Sequence, residues 1–491
     1  MNKILDELNI DYLLVNCTNM YLTEYPELSE NARYTLTNFT GSTGDALLTK
    51  DNIYLFVDGR YHIQADLEVR DGVTVVKLQL GQKQDEEIRK LIDPNKTLGI
   101  IGKKVSQSRL ESYKGYKIKL IDKDPINDFT EIHNGLCVQA FEPKNYSPDS
   151  TYVTNLEEVS YLTGMRDFSK DNSSKIWKKL FIDREKRILF NSEKESDEFL
   201  SNYDKEIFVD KSLINAHDYS LIKYPVCKKS EVKKMKSIKS EEELNAYKYA
   251  FERTDRTVLS IREFIEQNDN ISEYDIAVHL REEFLKFGAK SLSFNSIVAI
   301  NQNSAQAHYA KNSKEIILND GDLVLIDCGA YYESGFATDI TRVFVKGTPN
   351  DLQKTVYTKV LKAFLNCYNF NKTDLTGFEV DSLAHSLLDN SIDCFKFNHG
   401  LGHGIGINVH EAPPNLSQNE IAKVKIEDGM SFTIEPGLYN PEYFGIRLEN
   451  SCYRKNGKTH SFVKMGYEGK LINYNLLSLQ EQEWLKEFTI L

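Results

Sequence analysis

The chain has 491 residues, of which 41% are hydrophobic and 27% charged, and its formal net charge at pH 7 is −12. That length suits about three domains of roughly 150 residues, each with apolar material for a core, and the acidic balance argues against nucleic acid or an anionic membrane as partner. The seven cysteines form no CxxC pair, which predicts reduced thiols and a cytoplasmic setting.

The opening stretch MNKILDELNIDYLLVN mixes acids with apolar residues and lacks the apolar core and cleavage site of a signal peptide. No run of ~18 apolar residues occurs anywhere, so no membrane-spanning helix is expected. Residues 1–128 read as an α/β domain, with a short helix, strands at DYLLVN, GDALLT and NIYLFVD, and an amphipathic segment after Gly59. In residues 38–65 the glycines Gly41, Gly44 and Gly59 read as turn residues and Arg60, taken alone, as a surface charge. DKDPIND, residues 122–128, is a polar connector whose Pro125 disfavours helix before it.

Residues 129–235 repeat the α/β pattern, and TYVTNLEEVSYLTGM reads as their clearest helix. Residues 236–491 change texture. A charged segment leads into a long helix, with Ser240 and Glu243 spaced as a capping box, and a second helix is expected at residues 273–287. SLSFNSIVAINQNSAQAHYA then carries His308 out of a strand.

The chemistry lies downstream of His308. Asp327 closes an apolar, β-branched run and Asp339 opens the next after the polar turn YYESG, so an antiparallel hairpin brings the two carboxylates together. Glu435 ends a strand because Pro436 and Gly437 break it. Arg447 and Glu449, two apart in a β-like run, leave one face. Glycines surround His403 in HGLGHGIG; the stretch does not satisfy GxGxxG, because Ile405, Ile407 or Val409 stands where the third glycine belongs. Four carboxylates cannot share an interior without cations to neutralise them. Two divalent ions about 3.5–4 Å apart answer that need and deprotonate water at neutral pH, which is hydrolase equipment. Oxygen donors with one imidazole suit Mn²⁺, with Co²⁺ or Zn²⁺ as alternatives.

The motifs Ile326-Asp327-Cys328-Gly329, TDITR at residues 338–342, HGLGHGIG at 399–406, EPG at 435–437 and GIRLEN at 445–450 resemble those of the pita-bread metallopeptidases, the group of methionine aminopeptidase, prolidase, creatinase and aminopeptidase P. The resemblance implies an α+β fold: a C-terminal pita-bread catalytic domain, residues 236–491, preceded by two creatinase-N-like α/β domains, residues 1–128 and an abbreviated 129–235. It implies a metal set of Asp327, Asp339, His403, Glu435 and Glu449, with Asp339 and Glu449 bridging two ions. Glu435 is then also a proton shuttle. His308, His399 and His410 fall where the family places substrate-contacting and oxyanion-stabilising imidazoles, Arg447 is counted with them among the substrate-binding residues, and the FTGSTG and DGRY elements match the family's N-terminal domain, whose counterpart of Arg60 faces the substrate. The two aspartates stand twelve apart where the family has eleven, a longer turn that costs little.

The implied activity is release of the N-terminal residue from small peptides with proline in second position. A prolidase, which cuts Xaa-Pro dipeptides, is the near alternative, favoured by the spacing of His399 and His410. A non-catalytic peptide-binding module is the distant one. Neither nucleic acid nor membrane is expected as a partner, and a homodimer is left open by the family's habit of forming dimers or tetramers.

Overall fold

The computed structural model describes residues 2–24, 26–79, 81–127 and 135–491. The chain divides into two units. The first comprises Met1–Gly135, Glu142–Gly164 and Ile176–Glu231, and the second Leu136–Phe141, Met165–Lys175 and Val232–Leu491. The expected boundary between residues 128 and 129 lies outside the described residues.

The first unit holds two sheets. In the six-stranded one, Tyr12–Val15 lies antiparallel to Ala46–Leu48 and parallel to Thr97–Ile101. The side-chain period of two sends Leu13 and Val15 into one core with Leu5, Ala46 and Leu48, and Leu14 into another with Leu47, Phe56 and Ile100. The second sheet is built on Thr151–Val153, Lys179–Ile182 and Ile207–Val209, with Tyr152, Phe181 and Val209 in its core. TYVTNLEEVSYLTGM is therefore not one helix. Its aromatic and β-branched start pairs as a strand, Tyr152 opposite Phe181. The helix Leu156–Thr163 begins after Asn155, whose side chain accepts from the Glu158 N–H, and ends at Gly164 with φ 70°.

The second unit is organised on an antiparallel sheet in the order Ile297–Ile300, Leu323–Cys328, Ile340–Val345, Glu449–Lys455, Ser431–Ile434, with Lys458–Ser461 added beside Glu449–Lys455. The long helix Glu241–Gln267 starts at the expected capping box of Ser240 and Glu243. Its buried residues Leu244, Tyr247, Phe251, Thr254, Val258, Ile261 and Ile265 recur every three or four positions and form one stripe. The expected second helix is Glu273–Lys286. On the core side Leu323, Leu325, Val343 and Val345 pack with Val356, Val360 and Phe364 of the helix Asp351–Asn369. Among the described residues no helix is long and apolar enough to cross a membrane.

Candidate active site

The expected hairpin forms. Leu323–Cys328 and Ile340–Val345 pair antiparallel with Asp327 opposite Thr341, and Thr341 in turn lies opposite Glu449. Directly opposed residues project to the same face, so Asp327, Thr341 and Glu449 stand in a row across three strands. Thr341 Oγ1 donates to Glu449 Oε2 at 2.7 Å, and the Arg447 guanidinium reaches Asp327 Oδ2 at 2.5 Å. Residues 329–339 make an excursion from the hairpin closed by Gly335 N–H on the Tyr332 carbonyl at 2.8 Å, with Gly335 at φ 67°. The length of the turn is taken up there, outside the register of the aspartates.

Asp339 immediately precedes its strand, and its carbonyl accepts from Ser451 Oγ at 2.8 Å. Glu435 follows Ser431–Ile434, where its N–H donates to Leu401 O at 2.8 Å. His403 lies alongside, its N–H on Thr433 Oγ1 at 3.1 Å. A Cβ on Gly402 would stand 2.2 Å from Thr433 O, so a glycine is what lets the two segments approach this closely. His403 Nε2 then lies 3.6 Å from Asp339 Oδ2 and 3.3 Å from Glu435 Oε1. The run GIRLEN is two strands, Gly445–Arg447 and Glu449–Lys455, interrupted at Leu448, which bonds to Pro436 O instead. Arg447 and Glu449 nonetheless both meet Thr341.

The donor set fits divalent cations. Asp327 Oδ1, Asp339 Oδ1 and Glu449 Oε1 are buried oxygens with no hydrogen-bond partner, and ligand atoms of Asp339, His403 and Glu449 lie within 4.8 Å of one another. Buried anionic oxygens left unpaired carry a full desolvation cost. Burial, then the charges of Glu449, Asp327 and Glu435, hold Asp339 well above the usual carboxylate range. Burial, then Glu435 and Asp327, do the same to Glu449. Glu435 is pushed up to about 7 by burial, against the opposing charge of Arg447. Each shift records negative charge that a bound cation offsets.

Side-chain contacts link His410 and His399 to the same centre, and His308 is tied to it through its neighbour Ala307. The His403 and His410 rings meet edge to face with centroids 4.3 Å apart. His399 Nε2 is 2.8 Å from the Tyr439 hydroxyl, which also receives Arg447 Nη1 at 2.9 Å. His308 follows Ala307, whose carbonyl accepts from Arg447 Nη2 at 3.3 Å, and is reached from the strand Ile297–Ile300 through a short turn, Asn301–Ala305. Arg60 lies in the first unit, where Asp58 engages it twice, Nε to Oδ1 at 2.9 Å and Nη2 to Oδ2 at 2.8 Å. Sequence reasoning missed Thr341 and Tyr439. Hairpin pairing points to the first, since Thr341 lies two residues beyond Asp339 and opposite Asp327. No local signal marks the second.

Residues 245–455 match the model of metallopeptidase family M24, and residues 1–129 that of the creatinase/prolidase N-terminal domain. A putative Xaa-Pro aminopeptidase of Mycoplasma genitalium is 33% identical over 299 residues, 57% of this chain and 82% of the relative. Xaa-Pro aminopeptidase 1 of Dictyostelium discoideum is 27% identical over 576 residues, spanning 99% of this chain and 91% of the relative. Among solved structures, an X-prolyl aminopeptidase from Caenorhabditis elegans, described as a cytosolic enzyme with a di-nuclear active site, has the same fold with a TM-score of 0.86. It is 19% identical, with 97% of this chain and 90% of that one covered.

Proposed function

The chain belongs to metallopeptidase family M24, and from that premise we propose that it is an aminopeptidase releasing the N-terminal residue of peptides whose second residue is proline. The observation that carries the reading is the convergence of Asp327, Asp339, His403, Glu435 and Glu449, three of them with unpaired buried oxygens, beside His399 and His410. A non-catalytic module has no use for such a costly set. The match over 99% of the chain to an Xaa-Pro aminopeptidase favours that activity over the prolidase alternative, whose support is the spacing of His399 and His410.

The five residues would hold two divalent cations, Mn²⁺ by the balance of oxygens and one imidazole, with Co²⁺ and Zn²⁺ as alternatives. When bound, such ions supply Lewis acidity that polarises a carbonyl and brings the pKa of water towards neutrality. In our assignment His410 donates to the scissile carbonyl oxygen as it gains charge, and Glu435 takes a proton and passes it to the leaving nitrogen. His399, His308 and Arg447 wall the substrate, since a prolyl bond has no N–H to be read and must be recognised by its ring. Arg60 as a substrate contact rests on the family resemblance alone. A homodimer rests on it too, whereas a cytoplasmic location and the absence of nucleic-acid or membrane partners rest on the unpatterned cysteines and the acidic charge. The three-part division at residues 128 and 235 is supported by the two separate sheets in the first unit. Hydrolysis of Xaa-Pro against Xaa-Pro-Xaa peptides with added Mn²⁺ tests the reading: cleavage of the tripeptide is expected, and cleavage of the dipeptide alone makes the protein a prolidase.

A further inference from the structure

Residues 404–411 run from the ligand His403 through His410 to Glu411, and they are held by charges buried outside the metal centre. Glu411 is only 6% exposed. Its carboxylate accepts the N–H of Ile407 at 2.9 Å and of Asn408 at 3.3 Å, and pairs with Lys236 at 3.1 Å and Lys239 at 3.4 Å. Both lysines are as buried as the carboxylate, and Lys239 also donates to the Lys236 carbonyl at 2.6 Å. The loop closes on this group: Glu411 N–H donates to Gly404 O at 2.7 Å, and a Cβ at Gly406 would lie 1.9 Å from Glu411 Oε1. On its far side Asn408 Oδ1 accepts from buried Lys175 at 2.8 Å while Asn408 Nδ2 donates to the His410 carbonyl at 3.2 Å.

Burying several charges is a poor route to stability, because desolvation consumes much of the Coulomb gain. Burial alone would raise the Glu411 carboxyl, yet the two lysines and the loop N–H groups bring it down to about 2, so it stays charged and fully coordinated. What this arrangement provides is one geometry for a loop rich in glycine, and the residue just before Glu411 carries a proposed catalytic imidazole, His410.

We propose that Glu411, clamped by Lys236 and Lys239, is a positioning residue that fixes residues 404–411 so that His410 keeps its place against His403. The inference rests on the reading of His410 given above. A loosened loop leaves substrate binding and the metal ligands largely intact but costs the contact made as the carbonyl oxygen gains charge, so kcat falls while KM holds.

The test is a double-mutant cycle on the full-length, metal-loaded protein, with kcat, KM and bound metal measured for Glu411→Gln, His410→Ala and the pair. Glu411→Gln keeps the shape and removes the charge. A loss in kcat on the order of 100-fold, typical of small misplacement of a catalytic group, is expected with unchanged KM and metal content, and with no further loss when added to His410→Ala. Full kcat in Glu411→Gln beside a slow His410→Ala overturns the positioning role alone, and so does a Glu411→Gln penalty that persists undiminished in the His410→Ala background. Normal kcat in His410→Ala brings down the parent reading, and this one with it. If Glu411→Gln does not fold, Asn408→Ala carries the same cycle: it removes the donor to the His410 carbonyl, and its effect must likewise vanish in the His410→Ala background.

Discussion

Arg447 donates to Asp327 Oδ2 at 2.5 Å while Oδ1 of the same carboxylate has no protein partner. The guanidinium thus fixes the orientation of a proposed ligand and leaves its second oxygen for a cation. Arg447 is 3% exposed and reaches Tyr439, Thr341 and Ala307 O as well, so its removal leaves several buried polar groups without their donor. Arg447→Met should lower stability by about 3 kcal/mol, as breaking a buried pair does, and weaken metal binding about 10-fold to 100-fold, as loss of a group that orients a ligand does. Thermal melts and metal titration check this, and a variant with native metal affinity would refute the orienting role.

Asp339→Ala removes a carboxylate that contacts His403 and shares its cluster with Glu449. Activity should be abolished and metal content should fall on a protein that still folds, since the change also relieves the charge that burial makes costly there. Elemental analysis of the purified variant measures this. Retained activity with a full metal complement would remove Asp339 from the ligand set.

Much of this centre can be read in the sequence because each ligand sits in a short segment whose punctuation is local: glycines around His403, Pro436 after Glu435, a turn between Asp327 and Asp339. The capping box at Ser240 is legible for the same reason. Lys175, Lys236, Lys239 and Glu411 are not, because a charged residue in a polar stretch gives no sign of burial until a partner 233 or 172 residues away is brought to it. Tyr439 is hidden likewise, as its role depends on His399 and Arg447 arriving from different segments. The strand Thr151–Val153 reads as part of a helix because the apolar spacing beyond Asn155 is helical, and what separates the two is the Asn155 cap.

The raised carboxyls predict how pH acts on the metal-free protein. Glu435 titrates at about 7 when folded, and Asp339 and Glu449 also stand above their usual range, against unfolded values of about 4. The folded state therefore holds more protons, and the stability this confers is present below about pH 4 and lost as pH rises through 7. A cation reverses the loss by replacing the protons. The gain in melting temperature from Mn²⁺ over chelator should accordingly be larger at pH 7.5 than at pH 5. A gain independent of pH would contradict the proposed ligand set.

Tyr439 stands 2.8 Å from His399 Nε2 and 2.9 Å from Arg447 Nη1, so its hydroxyl ties the proposed proline-recognising imidazole to the guanidinium that orients Asp327. Tyr439→Phe deletes that oxygen and little else. If the hydroxyl serves mainly His399, losing a hydrogen bond worth about 1 kcal/mol should cost several-fold in kcat/KM on an Xaa-Pro-Xaa peptide and less on the matched Xaa-Ala-Xaa peptide. His399→Ala should narrow the same preference, and the two changes together should narrow it no further than His399→Ala alone. If instead the hydroxyl serves mainly Arg447, both peptides lose equally and metal affinity drops with them. Kinetics on the two peptides, alongside a metal titration, separate the cases, and a His399→Ala variant that keeps the full preference for proline would move the recognition of proline away from His399.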